Sequence, residues 1–185
     1  MRYYLLLIYI SGLLLSAASC GKKPAPVEPV APIDQLPPYT ETGAQTFGCL
    51  IDGEAFLPKR DPSMQISPLQ CRYQYVSGTQ YFTLYCLNGE HKKEVIFNTV
   101  NISLEEEIYQ LGDFYSDSLS GRYIEYPPIN EFIIREPVQK GELHIKHFDL
   151  EHQIVSGTFW FDAVDTLTGK VVQVREGRFD MVFIR

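Results

Sequence analysis

The sequence predicts an all-β fold, either an antiparallel β-sandwich or a small β-barrel, that ends in a C-terminal meander. Apolar and polar residues alternate with a period of two in short runs after residue 43, the pattern of half-buried strands. Turn-forming pairs such as Asp52-Gly53 and Ser77-Gly78 separate the runs. Short strands separated by frequent turns are typical of sandwiches and barrels.

The first twenty residues have the pattern of a bacterial lipoprotein signal. Arg2 precedes the apolar run Tyr3–Leu15, and small residues at 17–19 precede Cys20. A membrane-spanning helix needs about 20 apolar residues, and residues 16–20 interrupt the run. An ordinary secretory signal also fits the small residues. We interpret residues 1–19 as a signal peptide that is removed, and Cys20 as the lipidated first residue of the mature chain.

Residues 20–42 form a predicted tether. Residues 21–42 contain six of the 12 prolines in the chain. Proline lacks an amide donor, which disfavours helix and sheet interior. A polyproline II segment of this length would reach roughly 65–70 Å. The remaining residues, 43–185, have the size and composition of a single β domain.

Two tight hairpins are predicted in the first half of the domain. The first joins Thr46–Ile51 to Glu54–Leu57 through Asp52-Gly53. The second lies within Arg72–Leu87, with Gly78 in the first position of a type II′ turn.

The second hairpin places two cysteines on its core face. With Gly78-Thr79 as the turn, Cys71 lies opposite Cys86. A disulfide and two buried thiols both fit this arrangement. Cys49 shares an apolar stripe with Phe47 and Ile51, which favours a core position.

The later strands contain irregularities. Residues 102–111 are expected to form a strand pair or a short helical turn, and Gly141–Asp149, Ile154–Val164 and Val171–Ile184 a meander. The apolar positions change parity near Lys146-His147, which requires a bulge. They change again over residues 175–177, where a bulge or a turn is expected.

Trp160, the only tryptophan, is a candidate binding residue. It alternates with Phe159 and Phe161, so if these face the core, Trp160 faces outward beside Thr158 and Asp162. Exposed aromatic side chains commonly hold sugars or partner surfaces. The alternative is that a loop or the second sheet covers the ring.

Several chemistries find no support in the sequence. The formal charge of −7 argues against nucleic acid. His144 and His147 point to opposite faces of a strand, so no metal site is predicted unless the bulge realigns them. The chain contains no phosphate loop, nucleophile elbow or zinc-protease motif. No cofactor is expected.

Two short patterns resemble O-glycosylation acceptors of Bacteroidota envelope proteins. They are Asp117-Ser118-Leu119 and Asp165-Thr166-Leu167, with Ser118 and Thr166 as the acceptors. Both patterns lie in expected loops, and two ordinary turns explain them equally well.

The two ends of the domain resemble an uncharacterised family of Bacteroidota lipoproteins. The resemblance covers residues 42–58, Phe148–Glu151, Ile154–Phe159 and Gly177–Asp180. It implies a location in a Gram-negative envelope and transfers no activity or ligand.

Two functional hypotheses follow. The first is a membrane-anchored envelope lipoprotein that serves as a non-catalytic binding or structural module, with an envelope glycan or protein as its partner. The alternative is a small envelope hydrolase that uses Glu and Asp carboxylates. No acidic cluster follows Cys20, which favours the periplasmic face of the outer membrane over the cell surface.

Overall fold

The computed structural model describes residues 29–111, 119–126, 133–164 and 169–185, with the side chains of 133–139 excepted. A 3₁₀ turn at Pro32–Gln35 comes first. Ten strands follow, all paired antiparallel. They are β1 (Thr46–Ile51), β2 (Glu54–Phe56), β3 (Leu69–Val76), β4 (Thr79–Asn88), β5 (Lys93–Val100), β6 (Ile108–Gln110), β7 (Ser120–Glu125), β8 (Ile133–Asp149), β9 (Ile154–Val164) and β10 (Val171–Val182).

The strands form two antiparallel sheets that do not close into a barrel, so the sandwich alternative is confirmed. The first sheet has the order β2-β1-β10-β9-β8, with β6 added beside β8; the second has the order β8-β7-β5-β4-β3. The long strand β8 belongs to both sheets, since residues 133–135 pair with β7, residues from 136 onward pair with β9, and residues 142–144 also pair with β6. The chain therefore passes from one sheet to the other along a single strand.

An aromatic core fills the space between the sheets. Phe159 of β9 lies 5.2 Å from Phe47 of β1 and 4.8 Å from Phe97 of β5, measured between ring centroids. Phe159, Phe161 and Phe179 are all buried. The alternation that predicted these core positions is therefore confirmed.

Both predicted hairpins form, but the turn of the second differs from the prediction. Val76 pairs with Thr79, so the turn residues are Ser77 and Gly78. Both have positive φ, 50° and 90°, as a type I′ turn requires, whereas type II′ requires it only at the first position. The register shifts by two residues in consequence.

The shift corrects the predicted cysteine pairing. Cys71 lies opposite Leu84, and Cys86 opposite Leu69, so the cysteines are diagonal rather than directly paired. Diagonal neighbours are about 7–8 Å apart, beyond the Cβ separation of a disulfide. Both thiols are free and buried, as is that of Cys49.

Both predicted irregularities are β-bulges. One lies between Ile145 and His147 in β8, and the other between Val174 and Gly177 in β10. Residues 102–111 form neither the predicted strand pair nor a helical turn; their one strand is β6, which pairs with β8.

Candidate functional site

The N-terminal segment 36–44 packs on the outer face of the first sheet. Leu36 is buried. The ring of Pro37 occupies the space left by the missing side chain of Gly48, where an added Cβ would lie 2.7 Å from the proline Cδ. The last part of the predicted tether, as far as the structure describes it, is therefore docked on the domain.

Asp180 of β10 holds this segment in place. Its side chain is 1% exposed. Oδ2 accepts hydrogen bonds from Thr40 Oγ1 at 2.6 Å, from Thr42 N at 2.9 Å and from Ala44 N at 3.1 Å. Oδ1 accepts one from Gly43 N at 2.7 Å. Burial alone would raise the pKa of Asp180, but these hydrogen bonds outweigh it and the pKa is lowered.

Beyond the docked segment, Trp160 lies on the outer face of the first sheet. Its neighbours in sequence, Phe159 and Phe161, are buried while Trp160 is half-exposed. Trp160 is paired with Glu142 on β8, and Thr158 with His144 on β8 and Arg178 on β10. Two rows of outward side chains therefore run across the strands.

The bulge in β10 brings Arg175 over Trp160. The guanidinium carbon lies 5.4 Å from the centre of the indole. Nη2 is 2.5 Å from Asp162 Oδ1, and Nη1 donates to the carbonyl of Phe161 at 3.0 Å. A regular strand would alternate strictly, whereas a bulge re-aims the side chains beside it.

Glu142 fixes the other edge of the indole. Trp160 Nε1 donates to Glu142 Oε2 at 3.2 Å, and Gln110 Nε2 donates to Oε1 at 3.1 Å. The hydrogen bonds from Gln110 and Trp160 lower the pKa of Glu142. The carboxylate therefore remains an ionised acceptor at neutral pH.

Together these side chains line an open groove of about 540 Å³, within the ~300–1,000 Å³ range of small-molecule sites. Tyr39 and Lys146 border it, with Lys146 Nζ 4.9 Å from the centre of the Tyr39 ring. Tyr39 Oη lies 3.3 Å from Ser156 Oγ. Burial, the largest cause, raises the pKa of Tyr39 to about 12. A residue of the N-terminal segment is thus part of the site.

The sequence identified Trp160 but missed most of the groove. Glu142, Arg175 and Tyr39 were not singled out. The parity change over residues 175–177 was the available indication of Arg175, since a bulge redirects side chains. Nothing in the sequence indicated Tyr39, because its contacts join segments more than a hundred residues apart.

Three predicted sites lie outside the described residues. These are Cys20, the lipidation site, and Ser118 and Thr166, the glycosylation acceptors. His144 lines the groove, whereas His147 Nδ1 lies 3.5 Å from Glu106 Oε1.

In the described part of the chain, no group of three or more His, Cys, Asp or Glu side chains converges to form a metal site. The same residues contain no helix whose length and hydropathy would let it cross a membrane.

The comparison with protein families identifies the family of the chain. The pattern of a domain of unknown function, DUF6252, matches residues 75–182, which is more than half of the chain. The protein belongs to the DUF6252 family. The match runs from the end of β3 to the end of β10 and includes Glu142, Trp160 and Arg175. No curated protein and no solved structure matches the chain.

Proposed function

We propose that this DUF6252 protein is a lipid-anchored envelope module that binds a ligand in the groove beside Trp160 without catalysing a reaction. The observation that carries the proposal is an open groove centred on the only tryptophan. A half-exposed indole fixed by Glu142 and Arg175 is a preorganised contact surface. Preorganisation reduces the free-energy cost of ordering side chains on binding.

The hydrolase alternative has weaker chemical support. A catalytic general acid needs a carboxyl group whose pKa is raised towards the working pH. The pKa of Glu142 is lowered. Its two oxygens already accept hydrogen bonds from Gln110 and Trp160. These features suit a fixed acceptor of hydrogen bonds from a ligand.

The anchor and the location rest on the N-terminal sequence. We propose that Cys20 carries the lipid and that the protein faces the periplasm from the outer membrane of a member of the Bacteroidota. Lys22-Lys23, next to the anchor, suit anionic head groups. The segment between Cys20 and Tyr39 would connect the anchor to the groove, so the ligand would be held within the reach of this tether from the membrane.

Co-sedimentation with the cell envelope tests the binding proposal. The full chain in detergent is mixed with an envelope fraction freed of lipid by detergent extraction. We expect Trp160→Ala to reduce co-sedimentation at least tenfold while the unfolding midpoint in urea changes little, because the ring lies outside the core. Tyr81→Ala, an exposed aromatic on the second sheet, is the matched control. Equal sedimentation of wild type and Trp160→Ala would refute the groove as the site, as would unfolding of the variant.

A further inference from the structure

The groove has features that select among classes of ligand, and this inference rests on the proposed function. We infer that the ligand is an uncharged oligosaccharide, with the exposed part of the Trp160 indole in contact with one sugar ring and the polar side chains around it as partners for the hydroxyl groups.

The strands that form the floor of the groove offer no free edge for the addition of an extended peptide as a further strand. The floor is formed by β8, β9 and β10, which are paired with one another. β6 covers the other edge of β8, and β1 the other edge of β10. Strand addition requires unpaired backbone groups at a sheet edge. Recognition on this floor must therefore use side chains.

The charges around the groove balance one another. Arg175 is paired with Asp162, and Arg178 Nη2 lies 3.8 Å from Glu176 Oε2. The remaining lining charges are those of Lys146 and Glu142. The groove is thus lined by three cations and two carboxylates, and Asp162, which pairs with Arg175 but does not line the groove, brings the sum of these charges to zero. Because these charges sum to zero, an ionised ligand would lose hydration without a net electrostatic attraction, which favours an uncharged ligand.

The polar side chains that line the groove can nevertheless form hydrogen bonds with the hydroxyl groups of a ligand. Glu142 supplies acceptor oxygens, Arg178 supplies planar donors, and Thr158 and His144 can do both. All four line the groove beside Trp160. A sugar ring combines an apolar C–H face with a rim of hydroxyl groups. The combination of one aromatic ring and alternating donors and acceptors matches that chemistry.

Trp160 also provides the measurement, since its fluorescence is the only tryptophan fluorescence of the chain. The full chain in detergent is titrated with four probes: two uncharged oligosaccharides, one of glucose and one of N-acetylglucosamine, and two charged oligomers, oligogalacturonate and hexaglutamate. We expect a saturable change with an uncharged oligosaccharide, little dependence on salt between about 50 and 500 mM, and affinity for the charged probes at least tenfold weaker.

Calorimetry with variants locates the binding. Trp160→Ala should weaken the affinity for the oligosaccharide at least tenfold, whereas Arg72→Gln, which removes a cation from the second sheet, should leave it unchanged. Tighter binding of oligogalacturonate or hexaglutamate, strong salt dependence, or no saturable response to any uncharged oligosaccharide overturns the inference. The envelope experiment decides the proposed function separately, because it does not depend on the class of ligand.

Discussion

At the scale of single residues, Asp180 links the N-terminal segment to the sheet. Its carboxylate accepts hydrogen bonds from Thr40, Thr42, Gly43 and Ala44. We expect Asp180→Asn to lower the free energy of unfolding by about 2 kcal/mol, because it replaces charge-assisted hydrogen bonds with weaker ones. Urea unfolding measures the change. Asp34→Asn, at an exposed position of the 3₁₀ turn, is the control and should be neutral.

The Asp180 carboxylate also makes the stability of the fold depend on pH, in a direction that follows from its lowered pKa. Its pKa in the folded protein lies below the ordinary value of 3.8. The stabilisation is therefore complete above pH 3.8 and is lost as the pH falls through the lowered pKa. The difference in stability between wild type and Asp180→Asn should shrink as the pH falls into this range. A difference that stays constant down to pH 2 would contradict the assignment.

The three described cysteines are expected to be inert in the folded state. Burial raises the pKa of Cys49, Cys71 and Cys86 well above that of a free thiol. Because the thiolate is the reactive form, iodoacetamide at pH 8 should modify none of them until urea is added. Mass spectrometry counts the modified sites.

Non-reducing peptide mapping of the same sample also tests the predicted Cys71–Cys86 disulfide, and a bridged peptide would show that the hairpin rearranges on oxidation.

At the scale of elements, close packing of β8 against β9 depends on Gly157. A Cβ added there would lie 2.1 Å from the backbone carbonyl oxygen of His144. A backbone atom in a paired strand cannot move without breaking the ladder, so Gly157→Ala should destabilise the fold by about 1–3 kcal/mol. Thermal unfolding provides the measurement. Gly78→Asn is the contrasting variant, since the turn has open space and asparagine tolerates a positive φ. Equal losses in the two variants would argue against this packing.

Turn chemistry explains where sequence reasoning succeeded and failed for the second hairpin. The segment that contains the turn, Ser77–Thr79, and the core face of the flanking strands were predictable from alternation. The register was not predictable, because Ser77 adopts a positive φ and serine, unlike glycine, is not typical of that conformation. That single dihedral angle decides whether Cys71 faces Cys86 or Leu84.

At the scale of the whole molecule, we expect the proposed lipid anchor to be separable from the domain. We expect Cys20→Ala to block processing of the precursor, as globomycin should in the wild type, while the β fold of the domain is retained. Membrane fractionation and the mass of the N-terminal peptide measure the effect. Normal processing of the variant to a soluble chain would show an ordinary secretory signal instead.

The all-β class, the bounds of β1 and β9, and the places where the alternation is interrupted in β8 and β10 were predictable from the sequence alone. The reason is that a two-residue period and its interruptions are local properties of the chain. The outward position of Trp160 followed from the same alternation.

Only the tertiary structure decided what surrounds Trp160. Glu142, Arg175 and Tyr39 come from three distant segments, and sheet pairing, a bulge and the docked N-terminal segment bring them together. Pairing between distant strands depends on the packing of the whole core, which no local pattern encodes. The choice of a sandwich over a barrel had the same origin, since closure depends on how the outermost strands β2 and β3 meet.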